Sequence, residues 1–150
     1  MELTYSLWFM MIGSFIIQML VMGLIMTNTY KNITFSQGKF YMSVIMALLM
    51  GILEILMYDV HMHMISLDYY LTLFFALSVF VYLYRNQTYI DDKEYLKEMI
   101  EHHSMALLTS NKILEKTDDY NVSKLAKNII QKQEDEIRDM KDILMKLQNK

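Results

Sequence analysis

The segment "EMIEHHSMALL", residues 98–108, places two of the four histidines of the chain side by side in an apolar, helix-forming run. At 100° per residue, the spacing i, i+3, i+4 and i+7 puts four side chains on the apolar face of one helix: Met99, His102, His103 and Ala106. Burying two imidazoles is unfavourable unless each finds a hydrogen-bond partner or a metal ion. The segment therefore predicts an amphipathic helix that carries a polar site.

A second amphipathic segment, "LAKNIIQKQEDEIRDMKDIL", covers residues 125–144. The spacing i, i+4, i+7 and i+11 follows its apolar stripe through Ile129, Gln133, Glu136 and Met140. Two polar side chains thus interrupt this stripe, as the histidines interrupt the first one. The pattern predicts a second helix whose polar residues face the same interior.

Helix starts are marked by aspartates. Asp91 with Glu94 three residues later forms a capping-box pattern, and Asp119 is a good N-cap for the second helix. The turn "KTDDYN" separates the two segments. Residues 89–150 are therefore predicted to form a helical hairpin. It brings four polar side chains toward one interior: His102, His103, Gln133 and Glu136.

Two helices of this length cannot enclose a core by themselves, because each has an apolar stripe and only one neighbour. Pairing with a second copy into a four-helix bundle would bury both stripes. We therefore expect a homodimer or higher homo-oligomer through residues 89–150. In such a dimer the two His-His pairs would approach the twofold axis.

Residues 1–88 have the composition of a membrane region, since they are almost free of charge and rich in Leu, Ile, Phe, Tyr and Met. Three apolar runs, at about 5–27, 40–57 and 69–84, are long enough to cross a bilayer as helices. The first lacks the basic start and cleavage site of a secretory signal and is read as a retained anchor. The absence of proline suits an all-α protein with the lipid bilayer as partner.

The distribution of charges predicts an orientation. Three basic residues lie in the first loop and at the end of the third span: Lys31, Lys39 and Arg85. The opposite side carries acidic residues alone: Glu2, Asp59 and Asp68. Because basic loops stay in the cytoplasm, the N-terminus is expected outside and residues 89–150 in the cytoplasm.

Several classes of function are disfavoured. The chain has no cysteine, which rules out disulfides and thiolate metal sites. A net charge of −3 without a long basic run gives no reason to expect nucleic acid. No nucleophile–base pair or phosphate loop is evident. The second helix of the hairpin also lacks the histidine of the Glu-x-x-His pattern of di-metal oxidases, so we expect no enzyme.

The motifs "MIEHHSMAL" and "LAKNIIQKQEDEIRDMKDIL" together resemble the domain-of-unknown-function family 305 over about residues 89–147. The resemblance implies a ferritin-like four-helix architecture. For some members it implies copper binding through Met and His in copper tolerance. A subgroup carries hydrophobic helices upstream, with a Met-rich second span like the one here. Many members have proline before the His pair, where this chain has Glu101, which faces away from the apolar stripe.

The residue types favour copper. Imidazole with thioether suits Cu(I), whereas imidazole with carboxylate suits Zn(II) or Cu(II), so Cu(I) is favoured and Zn(II) is the alternative. His102 and His103 are the expected principal ligands. The further candidates are Met99, Glu136 and Met140, with Gln133 as a supporting group. The alternative is structural: the imidazoles hydrogen-bond to Gln133 and Glu136 and fix the register of the bundle.

Most of the 16 methionines lie before residue 65. On the second span a line of side chains predicts a candidate membrane pathway: Met46, Met50, Glu54 and Met57. The outer loop offers a candidate second metal site: His61, Met62, His63 and Met64. Copper uptake channels are similar in having three spans and a Met-x-x-x-Met in the second. The third span here lacks their Gly-x-x-x-Gly, and a packing stripe explains the same methionines.

The sequence thus predicts a membrane-bound copper-binding protein of metal homeostasis or tolerance. A copper transporter that uses the Met line is one alternative. A structural membrane protein without metal is the other.

Overall fold

The computed structural model describes residues 2–149, which form helices and connecting loops without a strand. This confirms the all-α prediction. The chain divides into two compact units. The first takes in residues up to Val21 together with Gly38–Tyr89, and the second takes in Met22–Gln37 together with the residues from Ile90 onward.

Three helices are long and apolar enough to cross a membrane: α1 (Leu3–Met26), α2 (Gln37–Met62) and α3 (Leu67–Arg85). The prediction of three such helices is confirmed. The second extends beyond its predicted end and includes His61. A π-helical turn, Ile17–Val21, interrupts α1, and the last turn of α1, Met22–Met26, belongs to the second unit.

The core of the first unit is aliphatic and draws on all three of its helices: Leu3, Leu7, Leu48, Ile55 and Leu73. At Gly51 the helices α1 and α2 approach closely. A methyl group on Gly51 would lie 3.0 Å from Sδ of Met11 and 3.2 Å from Cδ1 of Leu7. Glycine permits this approach because it has no side chain.

The second unit contains the hairpin of α4 (Asp92–Leu114) and α5 (Tyr120–Gln148). Both predicted caps are present: Asp91 accepts a hydrogen bond from the Glu94 amide at 2.8 Å, and Asp119 accepts one from the Val122 amide at 2.9 Å. A compact core joins the two helices. It consists of Ile100, Leu107 and Ile137, with Ile130, Met140 and Leu144 packed around them.

Residues 27–36, which connect α1 to α2, pack against α4 within the second unit. We call this segment the strap. It includes a short 3₁₀ turn, Tyr30–Asn32, and its Thr27 and Asn32 are buried. The sequence predicts this segment only as a loop. In the structure it covers one side of α4, so α4 has α5 on one flank and the strap on another.

Candidate metal site

His103 lies on the side of α4 that faces α5. Its side chain is 15% exposed, and its Nδ1 atom lies 3.1 Å from Oε2 of Glu136 on α5. This contact lacks the geometry of a hydrogen bond. Nδ1 of His103 is therefore buried without a hydrogen-bond partner among residues 2–149. A buried nitrogen without a partner is unfavourable unless a further group satisfies it.

The environment of His103 favours its neutral form. Burial has the largest effect and lowers the pKa of the imidazole below its ordinary value of 6.5; the carboxylate of Glu136 raises this pKa, and His102 lowers it. Neutral imidazole is the form that binds metal ions, because a ring nitrogen then offers a lone pair.

Gln133 is the second side chain of this region with an unsatisfied atom. It lies one helical turn before Glu136, is half-buried, and its Oε1 atom has no hydrogen-bond partner in the described part of the chain. Each helix of the hairpin therefore carries one buried polar atom without a hydrogen-bond partner among the described residues. The structural alternative, in which the imidazoles are hydrogen-bonded to Gln133 and Glu136, receives no hydrogen bond from Nδ1 of His103 within one copy.

His102 occupies a different position from its neighbour. It is exposed, and its ring centroid lies 6.1 Å from that of His103, with an angle of 61° between the rings. Successive helical residues diverge by 100°, so the face that turns His103 toward α5 turns His102 outward. Within one copy, only His103 reaches Glu136.

The two methionines of the candidate site are both half-buried. Met140 packs against the core of Ile100, Leu107 and Ile137, which gives it a packing role. Met99 lies one turn before His103 on α4. Across residues 2–149, no three His, Asp or Glu side chains lie close enough together to hold a metal ion. A single hairpin therefore offers one imidazole and one carboxylate at the point where the unsatisfied atoms lie.

Comparison with known proteins bears on the whole chain. The family model described as "Domain of unknown function (DUF305)" matches residues 86–149. The chain is 36% identical over 143 residues to "Uncharacterized protein L153" of Acanthamoeba polyphaga mimivirus, an alignment that covers 94% of this chain and 93% of that protein. Residues 86–149 belong to the DUF305 family, and the chain as a whole belongs to one family with L153. No solved structure matches the chain. The candidate metal site lies wholly inside the DUF305 match, and the similarity to L153 extends through the apolar helices before it.

The candidate second metal site lies outside the DUF305 match. His61 and Met62 belong to the last turn of α2 and not to the predicted loop, His63 and Met64 lie in the loop after it, and all four side chains are exposed. Asp59, near the end of α2, is hydrogen-bonded across this loop to Ser66. Its carboxylate accepts hydrogen bonds from the amide of Ser66 at 2.8 Å and from the hydroxyl of Ser66 at 2.7 Å. Backbone strain accompanies the turn, since His63 has a φ of 53°.

The methionine line of α2 lies partly on the outside of the first unit. Met46 is 36% exposed and Met57 is 51% exposed, whereas Met50 and Glu54 are half-buried. The hydroxyl of Ser6 on α1 donates a hydrogen bond to the carboxylate of Glu54. One copy therefore does not enclose these thioethers in an interior channel.

Sequence reasoning missed the residues of α4 that bind the strap. Glu101 is 5% exposed and Ser104 is fully buried, and both contact the strap. The pattern carried no distinguishing signal, because polar side chains on the side of α4 away from its apolar stripe are equally typical of a solvent-exposed face. The partner of that side could not be read from the pattern.

Proposed function

We propose that this protein is a membrane-bound copper-binding protein of metal homeostasis or tolerance. The observation that carries the proposal is the buried Nδ1 atom of His103, which has no hydrogen-bond partner in residues 2–149 and lies beside Glu136. A metal ion would satisfy this nitrogen. The resemblance to copper-binding members of the DUF305 family supports copper as the metal.

The ligand set follows from chemistry. His102 and His103 are the principal ligands, with Met99 and Glu136 as further candidates and Gln133 as a supporting group. A set of imidazole and thioether favours Cu(I), whereas participation of Glu136 would favour Zn(II) or Cu(II). Met140 is the weakest candidate, because it packs in the core of the hairpin.

A second copy of the chain completes the proposed site. The side of the hairpin away from the strap leaves several apolar side chains exposed: Ile113, Val122, Leu125 and Ile143. A groove of about 250 Å³ runs between α4 and α5 near their turn, lined in part by Ile113, Val122 and Leu125. This surface carries imidazoles on one helix and a carboxylate on the other, so it is complementary to itself under a twofold rotation. The proposed assembly is a ferritin-like four-helix bundle in which His102 of each copy joins the site.

The three apolar helices support a location in the membrane. The excess of basic residues on the side of the first loop supports an external N-terminus and a cytoplasmic DUF305 domain. Modification of single cysteines introduced at Met64 and at Asn149 with a membrane-impermeant reagent in intact cells tests this orientation. Labelling at position 64 alone is expected, and labelling at position 149 alone would reverse the orientation.

The test of function is an anaerobic titration of Cu(I) into the purified full-length protein, in competition with a chromogenic chelator. Wild type is compared with His102→Ala/His103→Ala and with the matched control His61→Ala/His63→Ala. We expect stoichiometric binding that the first double variant abolishes. Equal binding by wild type and that variant would move the metal elsewhere, with His61 and His63 tested by the control. Absence of binding in wild type would leave the histidines as groups that set helix register.

Transport is a second candidate function, and the exposure of Met46 and Met57 on the outer surface of α2 favours it. Thioethers on that surface would line a pathway only between copies of the chain. Cu(I) flux into liposomes that contain the protein tests this candidate. Loss of flux in Met46→Leu/Met50→Leu, with binding at the DUF305 domain retained, would support transport.

A further inference from the structure

Backbone amides tie the strap to α4. The amide of Asn28 donates to Oγ of Ser104 at 3.1 Å, and the amide of Thr34 donates to Oε2 of Glu101 at 2.9 Å. At the first residue of α2, the amide of Gln37 donates to Oε2 of Glu94 at 2.6 Å. Three points along the segment between the first two apolar helices are thus fixed to one helix.

Side chains strengthen the same contact. The hydroxyl of Thr34 donates to the carbonyl oxygen of Lys97 at 2.6 Å. The amide group of Asn32 donates to Oγ of Ser104 at 3.2 Å, and Nζ of Lys141 on α5 donates to the side-chain oxygen of Asn32. Because much of this network is buried, each bond is strong and its loss is costly.

The strap and the histidines use different sides of α4. Glu94, Glu101 and Ser104 are spaced i, i+7 and i+10 and share a side of the helix. Glu101 lies two residues before His103, and two steps of 100° place their side chains on nearly opposite sides. The strap therefore fixes the rotation of α4 about its axis, and that rotation decides whether His103 faces α5.

We propose that the strap and the histidine face of α4 are coupled, so that metal binding at His102 and His103 tightens the strap and a loosened strap weakens metal binding. This inference rests on the proposed function. Glu101 and Ser104 act as positioning residues, since they contact the strap on the side away from the site. The ends of the strap continue directly into α1 and α2. Metal binding at the site would therefore tighten the segment that connects two apolar helices.

Coupling of this kind is reciprocal. Cu(I) should slow hydrogen exchange at the amides of Asn28, Thr34 and Gln37, and loosening of the strap should lower Cu(I) affinity. For Glu101→Ala we expect a loss of about tenfold, within the ordinary range of coupling between sites. Glu101→Gln keeps an acceptor for the Thr34 amide and should recover part of that affinity.

The experiment combines two measurements on the full chain in detergent micelles. Hydrogen exchange across residues 27–37 is followed by mass spectrometry with and without Cu(I), and Cu(I) affinity is measured by chelator competition. The variants are Glu101→Ala, Glu101→Gln and His102→Ala/His103→Ala, which lacks the two proposed principal ligands. Glu115→Gln is the matched control, because Glu115 is an exposed residue at the end of the same helix, paired with Lys112.

The expected result is slower strap exchange with Cu(I) in wild type and in Glu115→Gln, no such slowing in the histidine variant, and weaker binding in Glu101→Ala. If Glu101→Ala does not fold, Thr34→Val removes the hydroxyl from the strap side and leaves α4 unchanged. Tight Cu(I) binding by wild type with unchanged strap exchange and unchanged affinity in the strap variants would overturn the coupling alone. Failure of wild type to bind Cu(I) would overturn the proposed function and the coupling with it.

Discussion

Nδ1 of His103 and Oε2 of Glu136 lie 3.1 Å apart across the two helices of the hairpin, and that nitrogen has no hydrogen-bond partner in the described residues. The contact brings together an imidazole, which is a soft-to-borderline metal ligand, and a carboxylate, which is a hard one. Which metal the proposed site would take depends on whether Glu136 participates, since carboxylate ligands favour Zn(II) over Cu(I).

Glu136→Gln separates these alternatives. The amide keeps the size of the side chain and removes its charge, so we expect Zn(II) affinity to fall about tenfold or more, as for loss of a group that tunes a metal ligand. Cu(I) affinity should change little. Glu134→Gln is the matched control, because Glu134 is exposed two positions earlier on the same helix. Parallel titrations with both metals provide the measurement, and an equal loss for both would assign Glu136 to the Cu(I) site as well.

The metal-free protein should lose stability on mild acidification. Burial lowers the pKa of His103 in the folded state below its ordinary value of 6.5. The unfolded chain therefore binds the proton more readily, and the free energy of unfolding falls as the pH drops below about 6.5 toward the folded pKa. Denaturant unfolding of chelator-treated protein at several pH values measures this. His103→Gln should flatten that part of the profile, and an unchanged slope in the variant would assign it to other groups.

Helix starts could be predicted from sequence because capping is local: Asp91 and Asp119 each bond an amide three residues ahead. The His-bearing face could be predicted because helical periodicity fixes which side chains share a side. Periodicity does not fix which edge of a stripe meets the neighbouring helix, so the exposure of His102 was not foreseen. The strap was missed because its partners are distant in sequence: 57 residues separate Gln37 from Glu94, and 76 separate Asn28 from Ser104.

Asp119→Ala tests the local part of this argument. Loss of the bond to the Val122 amide should destabilise the hairpin by about 1 kcal/mol. Asp118→Ala is the control, since Asp118 is exposed and stands one residue before the cap. Thermal unfolding followed by circular dichroism measures both variants, and equal effects would show that Asp119 does not act as a cap.

Ile137→Ala tests the hairpin core. Ile137 is 6% exposed and packs with Ile100 and Leu107, so its truncation should cost about 2–5 kcal/mol of unfolding free energy. Met145→Ala, at a position 55% exposed, should cost far less. Denaturant unfolding of the full chain in micelles, monitored by hydrogen exchange of α4 and α5, restricts the measurement to the second unit. Equal losses in the two variants would mean that another surface supplies the core.

Leu125→Glu tests whether a second copy covers the apolar side of the hairpin. Leu125 is 60% exposed and lines the groove between α4 and α5, so a carboxylate there would be buried without a partner in a four-helix bundle. We expect wild type to sediment as a dimer and Leu125→Glu as a monomer in density-matched detergent. Lys127→Glu, two residues later on nearly the opposite side of α5, should remain a dimer. Because in the proposed assembly His102 joins the site only from a second copy, the monomeric variant should also bind Cu(I) more weakly. A monomeric wild type with full Cu(I) affinity would place the complete ligand set within one chain.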